Sequence, residues 1–149
     1  MTVRQWMAND PVVVEPGTEV HQARATMQRN GIRHLPVVQE GVLVGIVSDR
    51  DVRIDEGSLA ECGSLDGVKA VSGHGRDVAS VMAASVHHIG PDASVGDAAR
   101  VMMSRHISAV PVVEDGRLVG IITTTDCLLA ALTADPDLGS AATPSDGFR

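Results

Sequence analysis

The sequence predicts a mixed α/β (α+β) fold, in which two β-α-β-β-α units pack through their sheets about a pseudo-twofold axis. Residues 82–128 repeat residues 7–53 at a constant offset of 75 positions, and 16 of the 47 aligned positions are identical without a gap. Both copies show the same succession of helix-like and strand-like apolar patterns. A unit of about 50 residues buries too little surface to be stable alone, so the two copies should pack on each other.

The first half of each copy predicts a short strand followed by a helix. Residues 11–14 are rich in valine, and residues 86–89 form a weaker version of the same strand. We expect Thr18 and Ser94 to cap the two helices, with Asp97 completing a capping box three residues after Ser94. Apolar side chains at helical spacing then predict one buried face on each helix.

The second half of each copy predicts a β-hairpin and a closing helix. Two apolar runs flank a polar turn in each copy, at 35–38 and 42–47 in the first and at 110–113 and 118–122 in the second. A glycine in each turn supplies the positive φ that tight hairpins require. We expect Ser48 and Thr123 to cap the closing helices, with Asp51 and Asp126 three residues further on.

The repeat divides the chain into two units, a linker and a tail. Repeat 1 spans 1–53, the linker 54–77, repeat 2 78–132 and the tail 133–149. The linker contains five glycines and mixed charge, and the tail is rich in small, polar and proline residues. Such segments bury little apolar surface, so we expect both to be flexible.

Composition and charge exclude several classes of function. The chain has one Trp, one Phe and no Tyr, and its net charge is −7. Nucleic acid is not expected as a partner, because its binding generally uses a basic surface and stacking aromatic side chains. We expect a cytoplasmic protein without a membrane partner, since there is no signal peptide and no apolar run of roughly 20 residues. Cys62 and Cys127 match no zinc-binding spacing.

Several motifs recur in register in the two copies. They are Met7 and Met82, Pro16 and Pro91, Pro36-Val37-Val38 and Pro111-Val112-Val113, Gly45-Ile46-Val47-Ser48 and Gly120-Ile121-Ile122-Thr123, and Asp51 and Asp126. Together they closely resemble the tandem CBS (cystathionine-β-synthase) domain over residues 3–132, apart from the linker. The resemblance implies two related clefts between the repeats, which hold an adenosine-containing ligand in many relatives, and a regulatory rather than a catalytic role.

The resemblance also implies which residues contact the ligand. In such relatives the hydroxyl residue and the aspartate of the pattern Gly-h-x-[Ser/Thr]-x-x-Asp, with h apolar, contact phosphate and ribose hydroxyls. Those positions are filled here by Ser48, Asp51, Thr123 and Asp126. In the γ subunit of AMP-activated protein kinase, the residue three before the repeated proline reaches phosphates, and that position matches Arg33 and Ser108.

Physical chemistry gives some of these residues a second role. A capping box stabilises a helix by about 1 kcal/mol without any ligand. The same groups also suit a nucleotide, because amides at a helix start attract phosphate and a carboxylate can accept two vicinal hydroxyls. Arg50 is a further candidate for ligand binding. A cation in the first turn of a helix is unfavourable unless it pairs with Asp49, Asp51 or a bound anion.

We therefore expect a stand-alone regulatory or sensor module that binds a ligand of the AMP, ADP or ATP class and has no catalytic residues, metal or other cofactor. An alternative is an interaction or stress-related dimerisation module with vestigial clefts that bind nothing. A more remote alternative is a metal-dependent enzyme built on His34, His87, His88 and His106. These histidines lack helical His-x-x-x-His spacing and an evident carboxylate partner in the sequence.

Two protein partners are also expected. Relatives bury exposed helix faces in a flat homodimer, which implies an interface from the helices that begin near Thr18, Ser48, Ser94 and Thr123. Regulation would further require a separate, unidentified protein as the regulated partner.

Limited proteolysis tests the predicted linker and tail. We expect cleavage between Ile54 and Asp77 and beyond Thr133, with both repeats surviving intact, because unpacked backbone is accessible to proteases. Mass spectrometry of the fragments locates the cuts. Equal protection along the whole chain would contradict the prediction.

Overall fold

A computed structural model describes residues 1–53 and 76–135. In repeat 1 the elements are α1 Val3–Trp6, β1 Ala8–Asn9, α2 Val20–Asn30, β2 His34–Gln39, β3 Val42–Ser48 and α3, whose described part is 49–53. In repeat 2 they are a 3₁₀ turn Val78–Ser80, α4 Val95–Arg105, β4 Ala109–Glu114, β5 Arg117–Thr123 and α5 Thr124–Ala134. The predicted α+β class is confirmed.

The two hairpins are confirmed and share one geometry. Strands β2 and β3 pair antiparallel from His34 opposite Ser48, and β4 and β5 pair in the equivalent register from Ala109 opposite Thr123. Both residues at the centre of the first turn have positive φ, 51° at Glu40 and 81° at Gly41. The second turn repeats this backbone, which matches the right-handed twist of paired strands.

The start of each repeat differs from the sequence prediction. The strands expected at 11–14 and 86–89 are reduced to single parallel bridges, in which Val14 and Ile89 contact the first strand of the neighbouring hairpin. The Thr18 cap is also wrong. Helix α2 begins after Glu19, while the hydroxyl of Thr18 accepts a hydrogen bond from the Glu15 N–H at 3.2 Å and so closes the preceding turn. The Ser94 cap is confirmed.

The two repeats exchange their leading segments. Val3 and Met7, from the start of the chain, are buried in the core formed by α4, α5 and the second hairpin. Strand β1 extends that hairpin into a three-stranded sheet, with Ala8 opposite Ile121. Val78, from the start of repeat 2, is buried in the core of repeat 1. Each repeat therefore completes the hydrophobic core of the other.

Two glycines permit this exchange. A Cβ at Gly120 would overlap the sulfur of Met7 and lie 3.0 Å from the carbonyl oxygen of Ala8. A Cβ at Gly45 would overlap the sulfur of Met82 in the same way. Gly45 and Gly120 lie three residues before Ser48 and Thr123, respectively. At both glycines the exchanged segment is in direct contact with the hairpin backbone.

The predicted linker and tail fall mostly at 54–75 and 136–149, outside the described residues. Among the residues that the structure describes, no helix has the length and apolar character to cross a bilayer.

Substitution of Gly120 by alanine tests the close approach. We expect Gly120→Ala to lower the free energy of unfolding by about 1–3 kcal/mol, because the added methyl must displace Met7 and a hydrogen-bonded strand. Gly90→Ala is the matched control, since a Cβ there meets no atom within 4 Å. Urea denaturation measures both. Equal stability of the two variants would contradict the prediction that the close contact with Met7 and Ala8 requires glycine at position 120.

Candidate functional site: a cleft between the repeats

A cleft of about 600 Å³ opens between the two repeats. Repeat 1 contributes the start of β2, part of β3 and the start of α3, and repeat 2 contributes the segment before Ile89 and the start of β4. Its polar and charged lining residues are Arg33, His34, Ser48, Asp49, Arg50, Asp51, Arg53, Ser85, His87, His106 and Ser108. The remaining lining residues are apolar: Ile46, Ala83, Val86, Ile107, Ala109 and Pro111.

Asp51 is held in the cleft by the predicted capping box. Its Oδ2 accepts hydrogen bonds from the backbone N–H of Ser48 at 2.9 Å and from the Ser48 hydroxyl at 2.8 Å. The Asp51 N–H in turn lies 3.3 Å from the Ser48 hydroxyl oxygen. Because a carboxylate has about four acceptor positions, Oδ1 and its lone pairs are left for other donors. The capping box therefore orients Asp51 without saturating it.

Three arginines line the cleft against two aspartates. Arg53 pairs with Asp49 at 2.6 Å across one turn of α3. Within residues 1–53 and 76–135, Arg33 and Arg50 form no ion pair. The net charge of this lining is positive on a chain whose net charge is −7. The cleft therefore has a local excess of positive charge on an acidic chain.

His34 joins the two repeats across the cleft. Its Nε2 lies 3.0 Å from the hydroxyl oxygen of Ser108, so a residue of β2 contacts the start of β4. Burial lowers the pKa of His34, and the neighbouring Arg33 lowers it further, while Asp51 and Asp49 act in the opposite direction. The half-buried imidazole is thus biased towards its neutral form.

The seven candidate residues fall into two groups. Arg33, Ser48, Arg50, Asp51 and Ser108 all line the cleft. Thr123 and Asp126 do not line it, although they form the same capping box, with both hydrogen bonds to Asp126 Oδ2 at 2.7 Å. The pseudo-symmetric position therefore keeps the local geometry of the motif but lies away from this cleft.

Sequence reasoning missed several residues of the cleft. The sequence suggests His34, His87 and His106 only as metal ligands, yet they line the cleft together with Arg53. No group of three or more His, Cys, Asp or Glu side chains in the described part of the chain is placed to hold a metal ion. The internal repeat contains a signal for this segment, because Ser108 is the equivalent of Arg33 and His106 lies two residues before it.

Comparison with known sequences identifies both repeats. The family model of the CBS domain matches residues 3–54 and 78–133. The chain is 27% identical over 146 residues to the CBS domain-containing protein YhcV of Bacillus subtilis (strain 168), a match that covers 95% of this chain and 93% of that protein.

Comparison with solved structures gives the same result. The CBSX2 structure in complex with AMP has a TM-score of 0.73 and 30% identity, and the match covers 89% of this chain and 97% of that one. The CBS domain pair of protein MJ0100, in complex with 5′-methylthioadenosine and S-adenosyl-L-methionine, has a TM-score of 0.71 and 27% identity. That match covers 90% of this chain and 96% of the other. By sequence, internal repeat and fold, the chain belongs to the CBS-domain family as a tandem CBS pair.

Proposed function

We propose that this protein is a regulatory module that binds an adenosine nucleotide of the AMP, ADP or ATP class in the cleft between its repeats. The observation that carries the proposal is the presence, in one cleft, of an oriented carboxylate and two arginines without ion pairs among the described residues. The complexes of CBSX2 with AMP and of MJ0100 with adenosine-containing ligands support it.

The cleft has the size and lining that a nucleoside requires. Its volume of about 600 Å³ lies within the range of roughly 300–1,000 Å³ typical of small-molecule sites. Apolar side chains, among them Ile46, Val86 and Ile107, offer a surface against which a planar base can pack. Asp51 offers free acceptor positions for the two vicinal ribose hydroxyls.

Arg33 and Arg50 favour a ligand that carries phosphate. Asp49 pairs with Arg53, and Arg50 forms no ion pair among the described residues although it is flanked by Asp49 and Asp51. A bound phosphate would supply the anion that this cation lacks at the start of α3. Ser108 and Thr125 occupy the equivalent positions in repeat 2, so the two related sites should differ in affinity for phosphate.

In this proposal the module senses and does not catalyse. The cleft residues suit binding, and the regulated protein would be a separate partner in the cytoplasm. A ligand that contacts both repeats would bind most tightly to one relative arrangement of them. It would therefore shift the equilibrium between arrangements towards that one.

Calorimetry with ATP, AMP and adenosine tests the site. We expect Asp51→Asn to weaken binding of all three ligands about 10- to 100-fold, since a charge-assisted hydrogen bond contributes roughly 1.5–3 kcal/mol. Arg33→Ala should weaken ATP binding more than adenosine binding. Asp126→Asn is the matched control, because it changes an identical capping box outside the cleft. It should weaken binding to a smaller extent.

Two results would count against this assignment. Equal losses for ATP and adenosine in Arg33→Ala would remove its phosphate role. No binding of any of the three ligands to the wild-type protein would favour a module with vestigial clefts.

We also propose that the protein forms a homodimer through its helices. Helix α5 buries little of its surface, and Leu128, Leu129 and Leu132 on it are 48–61% exposed. Met103 on α4 is 76% exposed. Clustered apolar side chains of this kind are typical of protein–protein interfaces. In this proposal more of the interface lies on repeat 2 than on the polar helix α2 of repeat 1.

Light scattering tests the dimer. We expect a dimer mass at micromolar concentration and a monomer mass for the Leu128→Asp variant, because a buried charge without a partner disrupts an apolar interface. Val42→Asp is the control, as Val42 is also more than half exposed, at 55%, but lies on a hairpin and not on a helix. A monomer mass for the wild-type protein would overturn the proposal.

A further inference from the structure

The side chain of His34 in repeat 1 forms a hydrogen bond with Ser108 of repeat 2. It joins the two repeats inside the cleft, at the same end of β2 as Arg33. The equivalent of His34 in repeat 2 is Ala109, so the duplication does not dictate an imidazole here. The imidazole is therefore a specific feature of this one cleft.

We propose that His34 is a further ligand-binding residue, which takes up a proton when an anionic ligand enters the cleft and thereby makes binding dependent on pH. This inference rests on the proposed nucleotide site and extends it. The neutral ring of the free protein becomes an imidazolium in the complex, and the proton comes from solvent. The ligand class is a phosphate-bearing adenosine compound.

The charges around His34 explain why the proton is absent from the free protein and present in the complex. Burial lowers the pKa of His34 from its ordinary value of 6.5, and so does Arg33, which immediately precedes β2. Asp51 and Asp49 on α3 act in the opposite direction. The other ionisable groups of the cleft are Arg50, Arg53, His87 and His106. A bound phosphate brings negative charge close to His34, and a nearby negative charge raises the pKa of a histidine.

Protonation also changes what Ser108 can do. An imidazolium carries hydrogens on both ring nitrogens, so Nε2 then donates to the hydroxyl oxygen of Ser108. The hydroxyl hydrogen of Ser108 is then free to donate to another acceptor in the cleft, and a phosphate oxygen is the acceptor in this proposal. One proton thus supplies both a positive charge and a redirected donor.

The direction of the pH effect follows from linkage. The pKa of His34 is lower in the free protein than in the complex. At a pH between these two values the complex holds more protons than the free protein. The affinity for the ligand therefore rises as the pH falls through this range. A single linked proton changes the dissociation constant by at most tenfold per pH unit. Below the pKa of free His34 both states are protonated, and the affinity reaches a plateau.

Calorimetry with ATP from pH 5.5 to 8.5 tests the proposal, in two buffers of different ionisation enthalpy to count the protons taken up. The dissociation constant of His34→Gln is divided by that of the wild type at each pH. We expect this ratio to increase as the pH falls, by up to tenfold per pH unit. The ionisation of ATP cancels in this ratio. Glutamine can keep a hydrogen bond to Ser108 but does not titrate. His88→Gln is the control, because it removes an exposed imidazole that does not line the cleft, and it should leave the wild-type pH profile unchanged.

NMR titration of the His34 ring provides a second measurement, and its pKa should rise when ATP is added. Identical pH profiles for wild type and His34→Gln, or an equal effect of His88→Gln, would overturn the role of His34 while leaving the nucleotide site intact. No binding of ATP, AMP or adenosine to the wild type at any pH would overturn the proposed function and this inference together.

Discussion

The structure depends on the exchange of leading segments between the two repeats. Val3 and Met7 fill the core of repeat 2, and Val78 fills the core of repeat 1. Neither hairpin with its helices has a complete core of its own, so folding of one repeat requires the other. Glycines at positions 45 and 120 make the exchange possible, because any side chain there would meet the incoming methionine.

The candidate cleft lies where the two repeats meet. The cleft takes its charged wall from the starts of β2 and α3 in repeat 1, and its opposite wall from segments of repeat 2. The only side-chain hydrogen bond across the cleft among the described residues is that between His34 and Ser108. A ligand that contacts both walls must respond to the relative position of the repeats. Such coupling of binding to the arrangement of two packed units is what a regulatory module requires.

The scaffold is nearly symmetric, but its surfaces are not. The two capping boxes have the same hydrogen bonds, and the two hairpins have the same register. The closing helices differ in their exposed residues, since Arg50 and Arg53 of repeat 1 correspond to Thr125 and Leu128 of repeat 2. Repeat 1 has thus placed positive charge in the cleft, whereas repeat 2 has placed apolar side chains on an exposed helix.

The sequence by itself determined the duplicated α+β unit, the hairpins, three of the four helix caps and the family. These depend on local chemistry: apolar periodicity, a positive-φ turn, and a hydroxyl three residues before an aspartate. Tertiary structure decided the rest. Thr18 closes a turn instead of capping α2, and the leading segments cross to the opposite repeat. It also placed Asp51 with Arg33 in one cleft and Asp126 outside it. Sequence could not decide these points, because a repeat shows which residues are equivalent, whereas the contacts between the copies depend on how they pack.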